Sequence, residues 1–308
     1  MNAGRAPADP VFVGGAARSG LQAVARLVGA HRGYRYLDAQ VRFHSDDGGL
    51  PDLLAGRVGL ERFLERLRGY WWFHTRAEER GSGLHQLVSR ADFDRAVADF
   101  EASFGEDRAG ATRALVRSLL DPLARRDGAD SWVEWSTRSV AASPTLAELF
   151  PDCKIIHVVR DGRDVACSLM SLPWGADSVV SALGGWQRQV KAADAGAREL
   201  GGERVLTLNI ADLAIDDRER SYERLLEFLG VEDDRGMREH FENKLLPGAA
   251  NPGRWEIDLA AYEQQELERA YERALVELAS EGVAAAGDLT RRAGLEGADA
   301  PAARARGS

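Results

Sequence analysis

A glycine-rich turn near the N-terminus constrains the fold more than any other stretch of the chain. Three apolar residues, Val11 to Val13, lead into a loop of small residues, Gly14-Gly-Ala-Ala-Arg-Ser-Gly20. After the loop, apolar residues recur at helix spacing: Leu21, Val24, Ala25 and Val28. A strand, such a loop and a helix together hold a phosphate on the backbone N–H groups at the helix N-terminus. The stretch therefore predicts a phosphate-binding loop in an α/β fold, with a merely tight connection as the alternative.

The loop differs from those that bind nucleoside triphosphates. In the pattern G-x-x-x-x-G-K-S/T, the lysine contacts phosphate oxygens and the hydroxyl group holds Mg²⁺. Gly15 and Gly20 have this spacing, but Leu21 and Gln22 occupy the lysine and hydroxyl positions. The cation lies inside the loop instead, at Arg18. The sequence therefore argues against an ATPase or a kinase, and we expect no metal.

Charge, cysteine content and hydropathy narrow the function classes further. The formal net charge of −9 leaves no overall basic field to attract duplex nucleic acid, so we expect no such partner. The cysteines, Cys153 and Cys167, have no metal-ligand spacing and no disulfide framework. No apolar run approaches the ~20 residues that cross a bilayer, and the N-terminus lacks the apolar core of a signal peptide. We therefore expect a cytoplasmic protein without stable membrane insertion.

The segment between 58 and 126 is patterned as helices. Its apolar faces are formed by Leu60, Phe63, Leu64 and Leu67, by Phe93, Val97 and Phe100, and by Leu115, Leu119 and Leu123. The aromatic cluster Tyr70-Trp-Trp-Phe-His74 is interpreted as core between helices, with the wall of an acceptor pocket as the alternative. Strands are predicted from Tyr34 to Leu37 and from Ser131 to Trp135, and a short helix from Pro144 to Phe150 with Ser143 as its N-cap.

A second stretch with chemical content runs from Lys154 to Ser168. The apolar run from Ile155 to Val159 predicts a strand covered on both faces of a parallel sheet. Arg160 follows this strand, at the end where open α/β sheets bind ligands. Arg160 with Ser168 is interpreted as an anion site. Arg163 and Asp164 are interpreted as structural, with Asp164 able to cap the following helix.

Together the two stretches resemble the sulfotransferase family that uses 3′-phosphoadenosine 5′-phosphosulfate (PAPS). In that family a strand, loop and helix with a pattern like P-R/K-S-G-T-T bind the 5′-phosphosulfate. A later strand that ends in R-D-x-R-D-x-x-x-S binds the 3′-phosphate. The segment Gly15-Ala-Ala-Arg-Ser-Gly-Leu-Gln22 is similar to the first pattern, and Arg160-Asp-Gly-Arg-Asp-Val-Ala-Cys-Ser168 is similar to the second. Gly253-Arg-Trp255 resembles the late segment whose arginine reaches the nucleotide.

The resemblance implies an architecture and an activity. The fold would be a central, mostly parallel sheet flanked by helices, like that of P-loop NTPases, with a helical insertion around 50–126. A single domain would span residues 1–285, followed by a disordered tail at 286–308. The activity would be transfer of a sulfuryl group from PAPS to a hydroxyl or amine of a small-molecule, carbohydrate or lipid acceptor.

The resemblance also implies the residues of the site. The 5′-phosphosulfate would be bound by the loop residues, Ala17, Arg18, Ser19, Gly20, Leu21 and Gln22. The 3′-phosphate would be held by Arg160, Ser168 and Arg254. Arg18 would stabilise the charge that develops on the bridging and leaving oxygens.

Some positions leave alternatives open. Leu21 and Gln22 replace the hydroxyl residues that follow the loop glycine, and Trp135 stands where many bacterial relatives carry a lysine. A relative that binds PAPS or its desulfated product PAP without catalysis is therefore one alternative. A P-loop kinase, which Leu21 argues against, is another. Asp38 and His44 are both candidates for the general base that an alcohol or amine acceptor requires.

Overall fold

The computed structural model describes residues 8–73, 83–173, 175–201 and 204–295. The described strands are β1 Val11–Gly15, β2 Tyr34–Tyr36, β3 Ser131–Trp135, β4 Lys154–Val159 and β5 Val205–Asn209. The described helices are α1 Leu21–Val28, α2 Leu50–Leu54, α3 Leu60–Arg68, α4 Tyr70–Phe73, α5 Arg90–Ser103, α6 Arg108–Arg126, α7 Ser143–Leu149, α8 Gly162–Met170, α9 Val179–Leu200, α10 Arg218–Leu229, α11 Arg235–Asn243, α12 Arg254–Asp258, α13 Ala261–Ser280 and α14 Ala286–Arg292.

The described strands form a parallel sheet in the order β2-β3-β1-β4-β5. In the register of this sheet, Val11 of β1 lies between Val133 of β3 and Lys154 of β4, and Ile155 pairs with Val205 of β5. Because all pairs are parallel, the carboxyl ends of the strands meet at one edge, where the glycine-rich loop leaves β1. The predicted central parallel sheet flanked by helices is confirmed.

Hydrophobic clusters cover both faces of the sheet. Phe12, Trp132 and Ile155 point into one cluster, together with the helices that lie between β2 and β3. Their strand neighbours point the opposite way into a second cluster with α1, α10 and α11. This alternation is the side-chain period of a strand, and it confirms that the run from Ile155 to Val159 is covered on both sides.

Between β2 and β3 the described chain is mainly helical, as the periodicity predicts. The hydroxyl group of Ser89 caps α5 by accepting from the amide of Asp92 at 3.1 Å. Trp71 and Trp72 are buried in the core, so these members of the aromatic cluster confirm the core interpretation. Phe73 is 49% exposed, and His74 lies outside the described residues.

Three local predictions are wrong. Ser143 does not cap α7 but is its first residue, and its hydroxyl is buried without a hydrogen-bond partner among the described residues. Asp161 rather than Asp164 caps α8, because its carboxylate accepts from the amide of Arg163 at 2.8 Å. Residues Ala286–Arg292 form α14 where disorder was predicted, and Leu289 is buried there. Residues 296–308 lie outside the described part.

Contacts between residues divide the described chain into two compact units. The first comprises the described parts of Met1–Arg160 and Arg188–Pro252 and contains the whole sheet. The second comprises the described parts of Asp161–Gln187 and Gly253–Ser308. The single domain predicted for residues 1–285 stays a prediction. Within the described ranges, no helix has both the length and the apolar character needed to cross a bilayer.

Candidate active site

The glycine-rich loop of the first unit has a backbone that few residues other than glycine adopt. Gly15 has φ 139° and Gly20 has φ 92°, and a Cβ at Gly15 would collide with the carbonyl oxygen of Val158. Arg18 has φ 67°, which is left-handed although Arg18 carries a side chain. Such a conformation costs about 1–3 kcal/mol and persists only where neighbouring groups impose it. The loop is therefore held in a fixed shape that leaves the Arg18 side chain exposed.

Arg160 is one of the groups that hold this shape. It follows β4, is 7% exposed, and donates from Nη1 to the carbonyl oxygen of Arg18 at 2.9 Å. Its Nη2 donates to the carbonyl oxygen of Asn251 at 3.0 Å, and Asn251 is also left-handed, with φ 39°. A planar guanidinium with a fork of donors suits such a double contact. Arg160 therefore positions the loop, and its predicted contact with a phosphate stays a prediction.

Ser19 contributes a buried hydroxyl group to the loop. The residue is fully buried, and its Oγ has no hydrogen-bond partner among the described residues. Leaving a buried polar group unpaired costs about 1–3 kcal/mol. A loop hydroxyl in this state fits a site that gains a partner when an anion binds. The residues of the loop thus fit a phosphate-bearing donor. The buried, unpaired hydroxyl of Ser19 supports this fit independently of the sequence pattern.

The side chains of Leu21 and Gln22 serve the fold. Leu21 is buried in the cluster that α1 forms with β5. The side-chain amide of Gln22 donates to the hydroxyl oxygen of Tyr36 at 2.9 Å. Both residues lie in the first turn of α1, and the first backbone N–H groups of a helix can donate to an anion. Their predicted role as ligands is therefore retained for the backbone only and stays a prediction.

His44 lies in a buried polar network. The residue is 1% exposed, and its Nε2 lies 3.0 Å from Oε2 of Glu134 and 3.0 Å from Oγ of Ser139. Ser136 donates to Oε1 of the same carboxylate at 2.5 Å. The backbone next to Glu134 reaches the loop strand, because the amide of Ser136 donates to the carbonyl oxygen of Val13 at 3.0 Å. Through Ser136, the network is therefore connected to the backbone of β1. The sequence did not indicate this role of Glu134 in positioning Ser136.

Asp38, the other candidate base, has the opposite environment. It follows β2, its side chain is 63% exposed, and its carboxylate binds Nη2 of Arg35 at 2.6 Å. Arg35 also contacts Asp127 at 2.7 Å, so its charge is shared between the carboxylates. An exposed carboxylate can meet an acceptor from solvent without rearrangement of the core, whereas His44 cannot. Asp38 is therefore accessible to an acceptor and His44 is not, while the role of either residue as general base stays a prediction.

The second unit contains the remaining predicted residues. The Arg163 guanidinium lies over the rings of Trp255 and Tyr271, at 4.6 Å and 4.9 Å from their centroids, and contacts Asp161 at 2.7 Å. These contacts are those of a structural residue, as predicted for Arg163. Ser168 is buried within α8. Its predicted role as a phosphate ligand stays a prediction.

Asp164 and Arg254 make further contacts inside that unit. Asp164 accepts from the backbone amides of Gly253 at 3.2 Å and Trp255 at 3.4 Å, so its structural role is as predicted although it caps a different helix. Arg254 donates from Nε to Asp258 at 2.7 Å, and this bond raises the pKa of Arg254. Its predicted contact with the nucleotide also stays a prediction. Among the described residues no cluster of His, Cys, Asp and Glu could hold a metal ion.

Comparison with known proteins shows which family and which solved structures the chain is similar to. The model of the sulfotransferase family matches residues 10–235. The sulfotransferase domain of the Synechococcus PCC 7002 olefin synthase is 18% identical with a TM-score of 0.50, over 89% of this chain and 98% of that one. The sulfotransferase domain from the curacin biosynthetic pathway is 13% identical with a TM-score of 0.53, over 86% of this chain and 98% of that one. At these identities the structural likeness concerns the fold.

Proposed function

The chain belongs to the sulfotransferase family, and on that basis we propose that it moves a sulfuryl group from PAPS to a hydroxyl or amine group of a small-molecule, carbohydrate or lipid acceptor. One observation carries the proposal. Arg18 is exposed and held left-handed in a rigid loop at the N-terminus of α1, where an anion is stabilised by backbone N–H groups and the helix dipole.

Donor binding in this proposal depends on the loop backbone more than on side chains. The first-turn amides of α1 and the hydroxyl of Ser19 would bind the 5′-phosphosulfate, since Leu21 and Gln22 offer no hydroxyl group. The sequence-based proposal that Arg160, Ser168 and Arg254 bind the 3′-phosphate is kept. A nucleotide without that phosphate, such as ATP, would lose those contacts and bind weakly.

The transfer step can be written so that its atoms balance. The acceptor oxygen or nitrogen forms a bond to sulfur, the bond between sulfur and the bridging oxygen breaks, and the bridging oxygen leaves with the electron pair as part of PAP. The acceptor proton goes to a carboxylate, for which we propose Asp38. Arg18 would stabilise the negative charge that grows on the bridging oxygen, an interaction stronger in the transition state than before it.

Calorimetry followed by an activity screen tests this proposal. PAP and PAPS should bind the purified protein at least tenfold more tightly than ATP, and equal affinity for ATP would refute PAPS selectivity and favour a kinase-like loop. Labelled PAPS with panels of phenols, sugars and lipids should then yield at least one sulfated product. Tight PAP binding with no transfer to any panel would instead support the non-catalytic relative.

A further inference from the structure

Gln189 contacts the centre of the glycine-rich loop. Its side-chain oxygen Oε1 accepts from the backbone amide of Ala17 at 2.8 Å, across 172 residues of sequence. Ala17 is among the loop residues expected to donate to the 5′-phosphosulfate. An anion that uses this amide must therefore replace the side-chain oxygen of Gln189.

The position of Gln189 is fixed by close packing of α9. Gln189, Ala193 and Gly196 recur at i, i+4 and i+7 and so share one face of the helix. A Cβ at Gly196 would collide with the carbonyl oxygen of Val140. The same Val140 approaches the loop strand, where a Cβ at Gly14 would lie 2.7 Å from its amide nitrogen. The backbone at Val140 thus spaces α9 from the loop, and Gln189 extends from a rigid support.

We propose that Gln189 is a donor-binding residue whose carboxamide exchanges roles when the nucleotide enters. Without ligand, Oε1 satisfies the Ala17 amide. With ligand, a phosphate oxygen takes that amide, and the carboxamide rotates so that its NH₂ group donates to the same anion. Glutamine suits this exchange because one side chain carries both an acceptor and two donors. The inference rests on the proposed function, since it needs a phosphate-bearing donor in the loop.

A structural role of Gln189 and a ligand-binding role lead to different expected PAP affinities for charged variants. Gln189→Glu keeps an oxygen for the Ala17 amide but places negative charge where the anion binds. Gln189→Lys removes that oxygen but adds a positive charge. If Gln189 only holds the loop, PAP affinity should follow the acceptor, so that Lys, which removes the acceptor, binds more weakly than Gln. If Gln189 contacts the donor, affinity should follow charge, with Lys at least equal to Gln and Glu weaker.

Calorimetric titration with PAP of the wild type and both variants separates these cases. We expect Gln189→Glu to bind more than tenfold more weakly and Gln189→Lys to bind within threefold of wild type or more tightly. A Gln189→Glu affinity less than tenfold below wild type overturns the inference. A Gln189→Lys affinity more than threefold below wild type overturns it equally, whether or not the glutamate variant folds.

Matched variants control for the general charge of α9. Ala192 lies on the exposed side of the same helix, so Ala192→Glu and Ala192→Lys change the charge without changing the loop contact. Both should bind PAP within twofold of wild type. A wild-type protein that binds neither PAP nor PAPS refutes the proposed function as well, whereas wild-type binding with the acceptor-dependent order refutes only the role of Gln189.

Discussion

Replacing Arg160 by lysine tests whether the loop depends on a planar fork or only on a positive charge. Arg160 donates to the carbonyl oxygens of Arg18 and Asn251. Asn251 lies 91 residues after Arg160 in the sequence. A lysine ammonium carries the same charge on a flexible stem, and its geometry suits one of these contacts rather than both. Arg160→Lys therefore preserves the attraction for a phosphate and removes one support of the loop.

The expected loss follows from the value of one hydrogen bond. A hydrogen bond with a charged partner contributes about 1.5–3 kcal/mol. If that energy must be supplied by the ligand when it orders the loop, PAP affinity falls by about ten- to a hundredfold, because each 1.4 kcal/mol is a factor of about ten. A phosphate contact through charge alone, without a positioning role, would leave the affinity of the lysine variant nearly unchanged, since the charge remains.

Isothermal titration with PAP and thermal unfolding of each variant measure the two effects. Arg163→Lys is the control, because Arg163 makes its fork contact with Asp161 and its ring contacts inside the second unit. We expect Arg163→Lys to lower the melting temperature while PAP affinity changes less than threefold. The reasoning is refuted if Arg160→Lys binds PAP within threefold of wild type, or if Arg163→Lys impairs binding more in a folded protein.

Further predictions concern Arg18, Asp38 and His157. Arg18→Ala should lower kcat by ~10²–10³ while PAP affinity falls less than tenfold, because its charge acts mainly in the transition state; near-normal turnover on a verified acceptor would make Arg18 a structural residue. Asp38→Asn should abolish most turnover and leave PAP binding intact, and normal steady-state rates would place the general base elsewhere. Burial lowers the pKa of His157 from 6.5 to about 4, so the unfolded chain takes up this proton first as pH falls. The stability contribution of neutral His157 is present above about pH 6.5 and is lost towards pH 4, by about 3 kcal/mol. Urea unfolding at pH 7 and pH 4 should show a smaller loss for His157→Leu than for wild type, and equal losses would contradict the assignment.

Local sequence patterns were enough to predict the elements that carry the loop. The turn at Gly15 to Gly20 and the helix after it are defined by residues adjacent in sequence, and the structure has both. The strand from Ile155 to Val159 could also be predicted from the sequence, because a strand buried on both faces is mostly a continuous apolar run. The residue that caps α8 could not be predicted in the same way. Asp161 directly precedes the helix and Asp164 lies in its first turn, and only the backbone path decides which carboxylate accepts from a backbone amide.

Contacts between distant segments account for the rest of what the sequence missed. The sequence shows that Leu21 lacks the hydroxyl group of the family pattern, but not that its side chain belongs to the hydrophobic cluster on one face of the sheet. The pairing of His44 with Glu134 joins the segment after β2 to strand β3, and no spacing in the sequence predicts it. The contact between Gln189 and Ala17 spans 172 residues and involves a residue type without a signature of its own. Such pairs become visible only when the topology brings the strands' carboxyl ends together.

The burial of Leu21 also limits how a loop of this kind can diverge. A lysine at this position would put an ammonium group into an apolar cluster, at a cost of several kcal/mol unless it were neutralised or paired. The loop is closely packed at the preceding residue as well, since a Cβ at Gly20 would lie 2.8 Å from Cγ1 of Ile210. Replacing Leu21 by lysine alone is therefore not expected to give this loop the cation of a nucleoside-triphosphate site. The packing of residue 21 in the cluster must change together with its charge before an ammonium group can face an anion in the loop.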